Sequence, residues 1–166
     1  DFFPMFEAPF AHGQGWSRAD DEARARVAVI SRVLNDKLFS GADSTGRELR
    51  VNGESLRIVG VLDDWSPNPN FYDLNTGAYG RDEQVFIPFS TAMDLDFGTS
   101  GMTNCFGTDP VSDPRDVNAA CSWVQYWVEL ESPSQAGDYR AMLENYSAQQ
   151  KAAGRYERAP NVRLRD

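Results

Sequence analysis

Val27-Ala28-Val29-Ile30-Ser31-Arg32-Val33-Leu34-Asn35-Asp36-Lys37-Leu38-Phe39-Ser40-Gly41 runs from four consecutive apolar residues through a serine into a segment with leucines four apart. The apolar run has the form of a buried strand. Ser31 can cap a helix over residues 32–39, and Gly41 can stop it. Leu34 and Leu38 share a face of that helix, which predicts that they lie against the sheet containing the strand.

Working outward, Arg47-Glu48-Leu49-Arg50-Val51 alternates polar and apolar, Asn52-Gly53 follows, and residues 56–62 are again β-rich. Asn-Gly tolerates the positive φ angles of a two-residue turn, so these segments form a hairpin. Val59 and Val61 fall on one face and Ile58 and Leu62 on the other, which predicts a second strand buried on both sides and a first strand at an edge. Residues 63–80, with Pro67, Pro69 and Gly77, are expected to form a long loop anchored by Phe71 and Tyr72. Val85-Phe86-Ile87 reads as a short strand, residues 90–93 as one helical turn, and the chain to about Ala120 as an irregular cysteine loop.

Residues 122–131 alternate once more, with Val124, Tyr126, Val128 and Leu130 opposite Trp123, Gln125, Trp127 and Glu129, the pattern of a half-buried strand. Trp123 and Trp127 occupy the less apolar face, and exposed aromatic pairs often form contact surfaces; packing against another lobe is the plainer alternative. Ser132-Pro133-Ser134-Gln135 offers a capping-box start. Tyr139, Met142, Leu143 and Tyr146 recur at helical spacing, and Gly154 can end the helix. Residues 162–164 would be a last strand, making a C-terminal β-α-β unit.

The 166 residues are 41% hydrophobic, enough for one globular domain or two small lobes. A net charge of −9 repels phosphate backbones, so nucleic acid is excluded as a partner. No window approaches the roughly 18 to 20 apolar residues of a membrane span. The opening Asp1-Phe2-Phe3-Pro4-Met5-Phe6 is apolar and lacks an initiator Met, so the chain is expected to begin inside a fold. Cys105 and Cys121 bracket a stretch rich in Gly, Pro, Asp and Asn, which suits a disulfide-bridged loop; two unrelated buried thiols are the alternative.

The residues offer little catalytic chemistry. His12 is the one histidine, which removes His-rich zinc sites and leaves any nucleophile a single imidazole; a structural or exposed role is the better reading. Asp63 and Asp64 end a strand, but adjacent strand residues point to opposite faces and do not converge on one substrate. The acidic stretch of residues 109–116 lacks the ligand spacing of an EF-hand, and Gly13-Gln14-Gly15 follows no predicted strand, so it is read as a turn. Asn145-Tyr146-Ser147 matches a glycosylation sequon but lies inside the predicted helix. No catalytic, cofactor-binding or metal-binding residue is assigned, and no cofactor is expected.

Val27-Ala28-Val29-Ile30-Ser31, Asp36-Lys37-Leu38-Phe39, Thr45-Gly46-Arg47 and Ile58-Val59-Gly60-Val61, in that order, resemble the MacB-like periplasmic core domain of FtsX/MacB-type ABC transporter permeases. Phe2-Phe3 and residues 13–21 are similar to the family's segment before the first of these strands, and the likeness covers about residues 2–89. Two features depart from it. Gly13-Gln14-Gly15-Trp16 stands where the family commonly carries Gly-Arg, and the segment around Cys105 and Cys121 is not a family feature.

The resemblance implies an α+β fold: a mostly β lobe with one short helix and the cysteine loop over residues 1–121, and a C-terminal β-α-β part of an α/β lobe over residues 122–166. It implies a non-enzymatic domain on the periplasmic face of the bacterial inner membrane that transmits ATP-driven motion. The implied partners are the permease's transmembrane helices, a cytoplasmic ATPase, a periplasmic adaptor or substrate, and a second copy in a dimeric transporter. Phe71, Tyr72, Trp123 and Trp127 are the candidate contact surface. With the N-terminal part of the α/β lobe absent, residues 122–131 and the tyrosine-bearing helix face are expected to expose apolar surface. The alternatives are a free-standing extracellular glycan- or peptide-binding module, which would use the same aromatics, and a small hydrolase built on His12.

Overall fold

The computed structural model describes residues 2–73, 79–80, 82–99, 101, 103–106, 111–116, 119–155, 157, 159 and 161–164. The chain divides into two compact units, Asp1–Thr99 and Ser100–Asp166, with both cysteines in the second.

The first unit is a five-stranded mixed sheet of β1 (Phe10–Gly13), β2 (Val27–Ile30), β3 (Glu48–Val51), β4 (Glu54–Leu62) and β5 (Val85–Phe86). β4 is its axis. One of its edges pairs in parallel with β2; the other pairs antiparallel with β3 over residues 54–57 and with β1 over residues 60–62. β5 closes on the far edge of β2. Four short helices accompany the sheet: α1 (Phe2–Met5), α2 (Arg18–Glu22), α3 (Arg32–Phe39) and α4 (Phe89–Asp94).

The expected strand, helix and hairpin are present. All four residues of β2 are buried between β4 and β5. The Ser31 Oγ accepts the Leu34 N–H at 3.2 Å, and Ser40 and Gly41, at φ 55° and 76°, end α3. Asn52 and Gly53 both take positive φ and place Val51 opposite Glu54, and β3 is the expected edge strand.

Two side-chain patterns differ from the expectation. In α3, Leu34 and Phe39 face the core while Leu38 is 47% exposed; the buried position is Asn35. Its amide donates to the Ala42 carbonyl at 3.0 Å and its oxygen accepts the Ser44 hydroxyl at 2.6 Å, so a polar residue is buried with its hydrogen bonds made. This ties α3 to the turn after it, and the Arg47 guanidinium, 4.5 Å over the Phe39 ring, adds a second tie.

In β4, Ile58 packs with Val61 and Ile30, and Val59 with Leu62 and Val29, which is not strict alternation. The cause is a bulge: Ala28 pairs with Ile58 but Val29 with Gly60, so Val59 is an extra residue against β2, and β1 has a matching shift between Phe10 and His12. A Cβ at Gly60 would lie 2.5 Å from the Gln14 carbonyl oxygen, so this close approach requires glycine.

Three N-terminal elements, α1, β1 and α2, are too short for a hydrophobic period to reveal. α2 carries a capping box: the Ser17 Oγ accepts the Asp20 N–H at 3.1 Å, and the Asp20 carboxylate accepts the Ser17 N–H at 2.8 Å. The Ser17 hydroxyl, which donates to the Asp20 carboxylate at 2.7 Å, and then the Ser17 N–H hold that carboxyl below its ordinary value. The Ser90 N–H reaches Asp21 and the Thr91 hydroxyl donates to the Ala25 carbonyl at 2.8 Å, so α4 is fastened to the end of α2.

The second unit contains a two-residue antiparallel ladder of β6 (Asn104–Cys105) and β7 (Cys121–Ser122), and the long helix α5 (Gln135–Ala152). The α+β class holds, but the expected β-α-β unit does not form. Residues 123–130 and 161–164 have no regular secondary structure. An alternating sequence becomes a strand when it pairs with an edge, and among the described residues neither segment is paired. The start of α5 also differs: Ser134 is itself helical and makes no side-chain cap, while the Gln135 side chain accepts the Glu131 N–H at 3.0 Å.

Truncating Ile58 to alanine is expected to cost about 2 to 5 kcal/mol in urea unfolding, whereas Leu38→Ala costs under about 1 kcal/mol because its side chain is half in solvent. Equal losses would mean that Leu38 packs as its spacing suggests.

Candidate contact surface

The candidate aromatics occupy two settings. In the first unit, Phe71 and Tyr72 belong to a continuous ring cluster. Trp65 stacks on Tyr72 at 5.1 Å, Phe71 meets Phe6 at 5.3 Å, and Phe2 touches Trp65, Tyr72, Phe6 and Phe86 at 4.9 to 5.8 Å. Sequence reading assigned Phe71 and Tyr72 to the contact surface but not Trp65, Phe2 or Phe86. The available signal was the density of aromatics at 2, 3, 6 and 10 beside those at 65, 71 and 72. Phe71 remains 39% exposed, while Tyr72 is half-buried. The Tyr72 hydroxyl donates to the Glu83 carboxylate, and burial first, with that bond second, pushes its ionisation well above the ordinary 10.0.

In the second unit, Trp123 and Trp127 are half-buried, while Val124, Tyr126 and Val128 are 50%, 68% and 45% exposed. The face with the greater exposure is therefore the one the alternation marked as the better core face. Indole rings carry more apolar area than Val, and with no sheet to impose a face they take the cover available. The Tyr139 phenol is pushed up by burial and by its bond with Tyr126, which links this segment to α5. α5 buries no residue, and Met142 and Tyr146 are each 49% exposed.

Cys105 and Cys121 form a disulfide across the β6–β7 ladder, extended by a 2.8 Å bond from the Phe106 N–H to the Ala120 carbonyl. Arg115 clasps the Asp113 carboxylate through Nε and Nη2 at 3.0 and 2.9 Å and holds that carboxyl below its ordinary value. Asp109 of the acidic stretch lies outside the described residues. No group of three or more His, Cys, Asp or Glu among the described residues could hold a metal ion.

The other residues considered for catalysis or phosphate binding lie in the first unit. His12 is half-buried in β1 opposite Val61. Asp63 pairs with Arg32, and its N–H donates to the Pro9 carbonyl at 2.9 Å, while Asp64 is exposed. Gly13-Gln14-Gly15 does follow a strand, contrary to expectation, but its glycines make room for protein: a Cβ would meet the Val59 carbonyl oxygen at 2.2 Å from Gly13 and the Phe3 ring at 2.6 Å from Gly15. None of the described helices is long and apolar enough to cross a membrane.

A mixed sheet of this order, with a helical and disulfide-linked second unit, defines an α+β domain. Comparison with known families assigns it: the MacB-like periplasmic core domain profile matches residues 1–146, and the chain belongs to that family. It is similar to the macrolide export ATP-binding/permease protein MacB of Marinobacter nauticus, 28% identical over 96 residues, and to the pyoverdine export ATP-binding/permease protein PvdT of Pseudomonas aeruginosa, 29% over 99 residues. These stretches are 58% and 60% of this chain and 14% of each relative, so the chain spans a small part of their length. The extracellular domain of the noncanonic ABC-type transporter YknZ from Gram-positive bacteria shares the fold, at a TM-score of 0.51 and 16% identity, over 92% of this chain and 60% of that one.

Thiol titration of denatured, unreduced protein is expected to find no free sulfhydryl, and replacing both cysteines by serine should cost the second unit about 3 kcal/mol, the loop-closure value for a ring of this size. Two free thiols would contradict the bridge. In alkaline titration, the difference between wild type and Tyr72→Phe should show a midpoint above 10.0. Because the folded value is raised, the contribution of Tyr72 to stability is full below 10.0 and is lost as pH rises beyond it.

Proposed function

We propose that this domain is the part of an ABC-transporter permease that works outside the inner membrane, passing ATP-driven motion to a substrate or partner protein without catalysis of its own. The observation that carries this reading is the family match over residues 1–146. The named activities of the relatives, macrolide and pyoverdine export by ATP-binding/permease proteins, agree with it. A sheet whose central strand is paired on both edges suits the role, because a body that relays displacement must not deform under it.

The ATPase then acts in the cytoplasm on another domain or chain, and the permease helices connect it to this domain in a dimeric transporter. Phe71, Tyr72, Trp123 and Trp127 are the aromatics we assign to contact with a periplasmic adaptor or substrate. Aromatic side chains suit this because they bring large contact area at low cost in conformational entropy.

The test separates hydrolysis from transport in the full-length protein. Removing this domain from the reconstituted transporter should leave ATP hydrolysis measurable while export falls to background. Export at the wild-type rate would contradict the proposal. The isolated chain should show no heat of binding with ATP in calorimetry, since it has no glycine-rich loop followed by a lysine at a helix start. Micromolar affinity would contradict that.

A further inference from the structure

Asn52 and Gly53 form the two-residue turn between β3 and β4, and theirs is the only Asn-Gly sequence in the chain. Both residues are exposed and take positive φ, 51° and 90°. Val51 and Glu54 close the turn as ladder partners, while the Asn52 carboxamide and the Gly53 N–H make no hydrogen bond among the described residues. A Cβ built at Gly53 would meet nothing within 4 Å, so the approach to its nitrogen is open. Four other asparagines are guarded. Asn35 is buried and its amide donates to the Ala42 carbonyl, Asn70 is buried, Asn68 precedes a proline that has no N–H, and Asn145 lies in α5, where N–H groups bond along the helix.

β3 can let this turn loosen. It is an edge strand of four residues that pairs with β4 alone, its side chains are alternately exposed and half-buried, and none of them is in the buried core. Strands of this kind open locally at a cost well below that of global unfolding. A two-residue turn also sets the register of its hairpin, so a change in its main-chain length is passed along the ladder, to Val51–Glu54 first and then to Arg50–Ser55 and Leu49–Leu56. Leu49 is the β3 side chain packed against the cluster of Ile30, Ile58 and Val61.

We propose that Asn52 is a site of spontaneous covalent modification, at which the carboxamide is lost and the product isoaspartate unpairs β3 from β4. The Gly53 nitrogen bonds to the Asn52 Cγ, and the side-chain nitrogen leaves as ammonia, carrying the proton that the backbone gives up. The succinimide ring so formed is opened by water at one of its two carbonyls. Opening at Cγ leaves aspartate. Opening at the main-chain carbonyl leaves isoaspartate, in which the main chain runs through Cβ and Cγ and is one carbon longer, so Val51 no longer sits opposite Glu54 and Leu49 is drawn off its cluster. The inference depends on the hairpin of the first unit and not on the transporter role.

The test holds the whole 166-residue chain in mildly alkaline buffer and follows residues 51–57, which trypsin releases by cutting after Arg50 and Arg57 and in which Asn52 is the only amide side chain. This peptide should convert to two acid-bearing isomers, aspartyl and isoaspartyl, at least about tenfold faster than acid appears at Asn145. Isoaspartyl protein, isolated by chromatography, should then show amide exchange in residues 48–51 faster by about tenfold or more, with residues 27–30 unchanged. Asn52→Asp keeps the ordinary main chain and tolerates the positive φ, so it should exchange as wild type. Loss of the amide at Asn52 no faster than at Asn145 would overturn the site. Wild-type exchange of β3 in the isoaspartyl protein, or the same acceleration in Asn52→Asp, would overturn the unpairing.

Discussion

The pairing of β4 on both edges is the constraint from which the first unit follows. Nine residues long, it has β2 along one side and β3 and then β1 along the other. Two partners in succession on one edge require the strand to turn where one ends and the other begins, and the bulge at Val59 and Gly60 provides this by shifting the register against β2. Side chains three apart then share a face, so Ile58 and Val61 build one core cluster and Val59 and Leu62 contribute to the other. Gly60 and Gly13 leave the space that lets the chain at Gln14 lie against the bulge.

The second unit rests on different physics. Its helix buries no residue and its ladder is two residues long, so the disulfide supplies order that apolar burial does not. Val124, Tyr126, Val128, Met142 and Tyr146 are each about half exposed or more.

What could be read from the sequence was whatever a local rule determines. The β2 run, the Ser31 cap and the Asn52-Gly53 turn are decided within a few residues, and they stand as expected. The Leu34 and Leu38 face and the alternation of β4 depend on which neighbour arrives, and there the structure departs: Asn35 finds its partners at Ala42 and Ser44, and a bulge moves Val61 to the face of Ile58. Gly60 inside an apolar strand was the available sign of that bulge. The 122–131 alternation failed for a related reason, since a strand pattern specifies a face only once an edge is present to pair with it. Phe71 and Tyr72 were read as loop anchors, but the rings that meet them, Phe6 and Phe2, lie far back in the sequence in and just after α1 and could not be matched by spacing.

Seen as a member of the MacB-like periplasmic core family, the chain combines a β4-centred body with a more open unit rich in exposed apolar side chains. Residue-resolved amide exchange by NMR tests the structural basis of this most directly. The slowest amides should be those of residues 56–62 and 27–30, with α5 exchanging at least about a hundredfold faster, since protection follows burial and local stability. Protection in α5 equal to that in β4 would contradict the dependence of the fold on that strand.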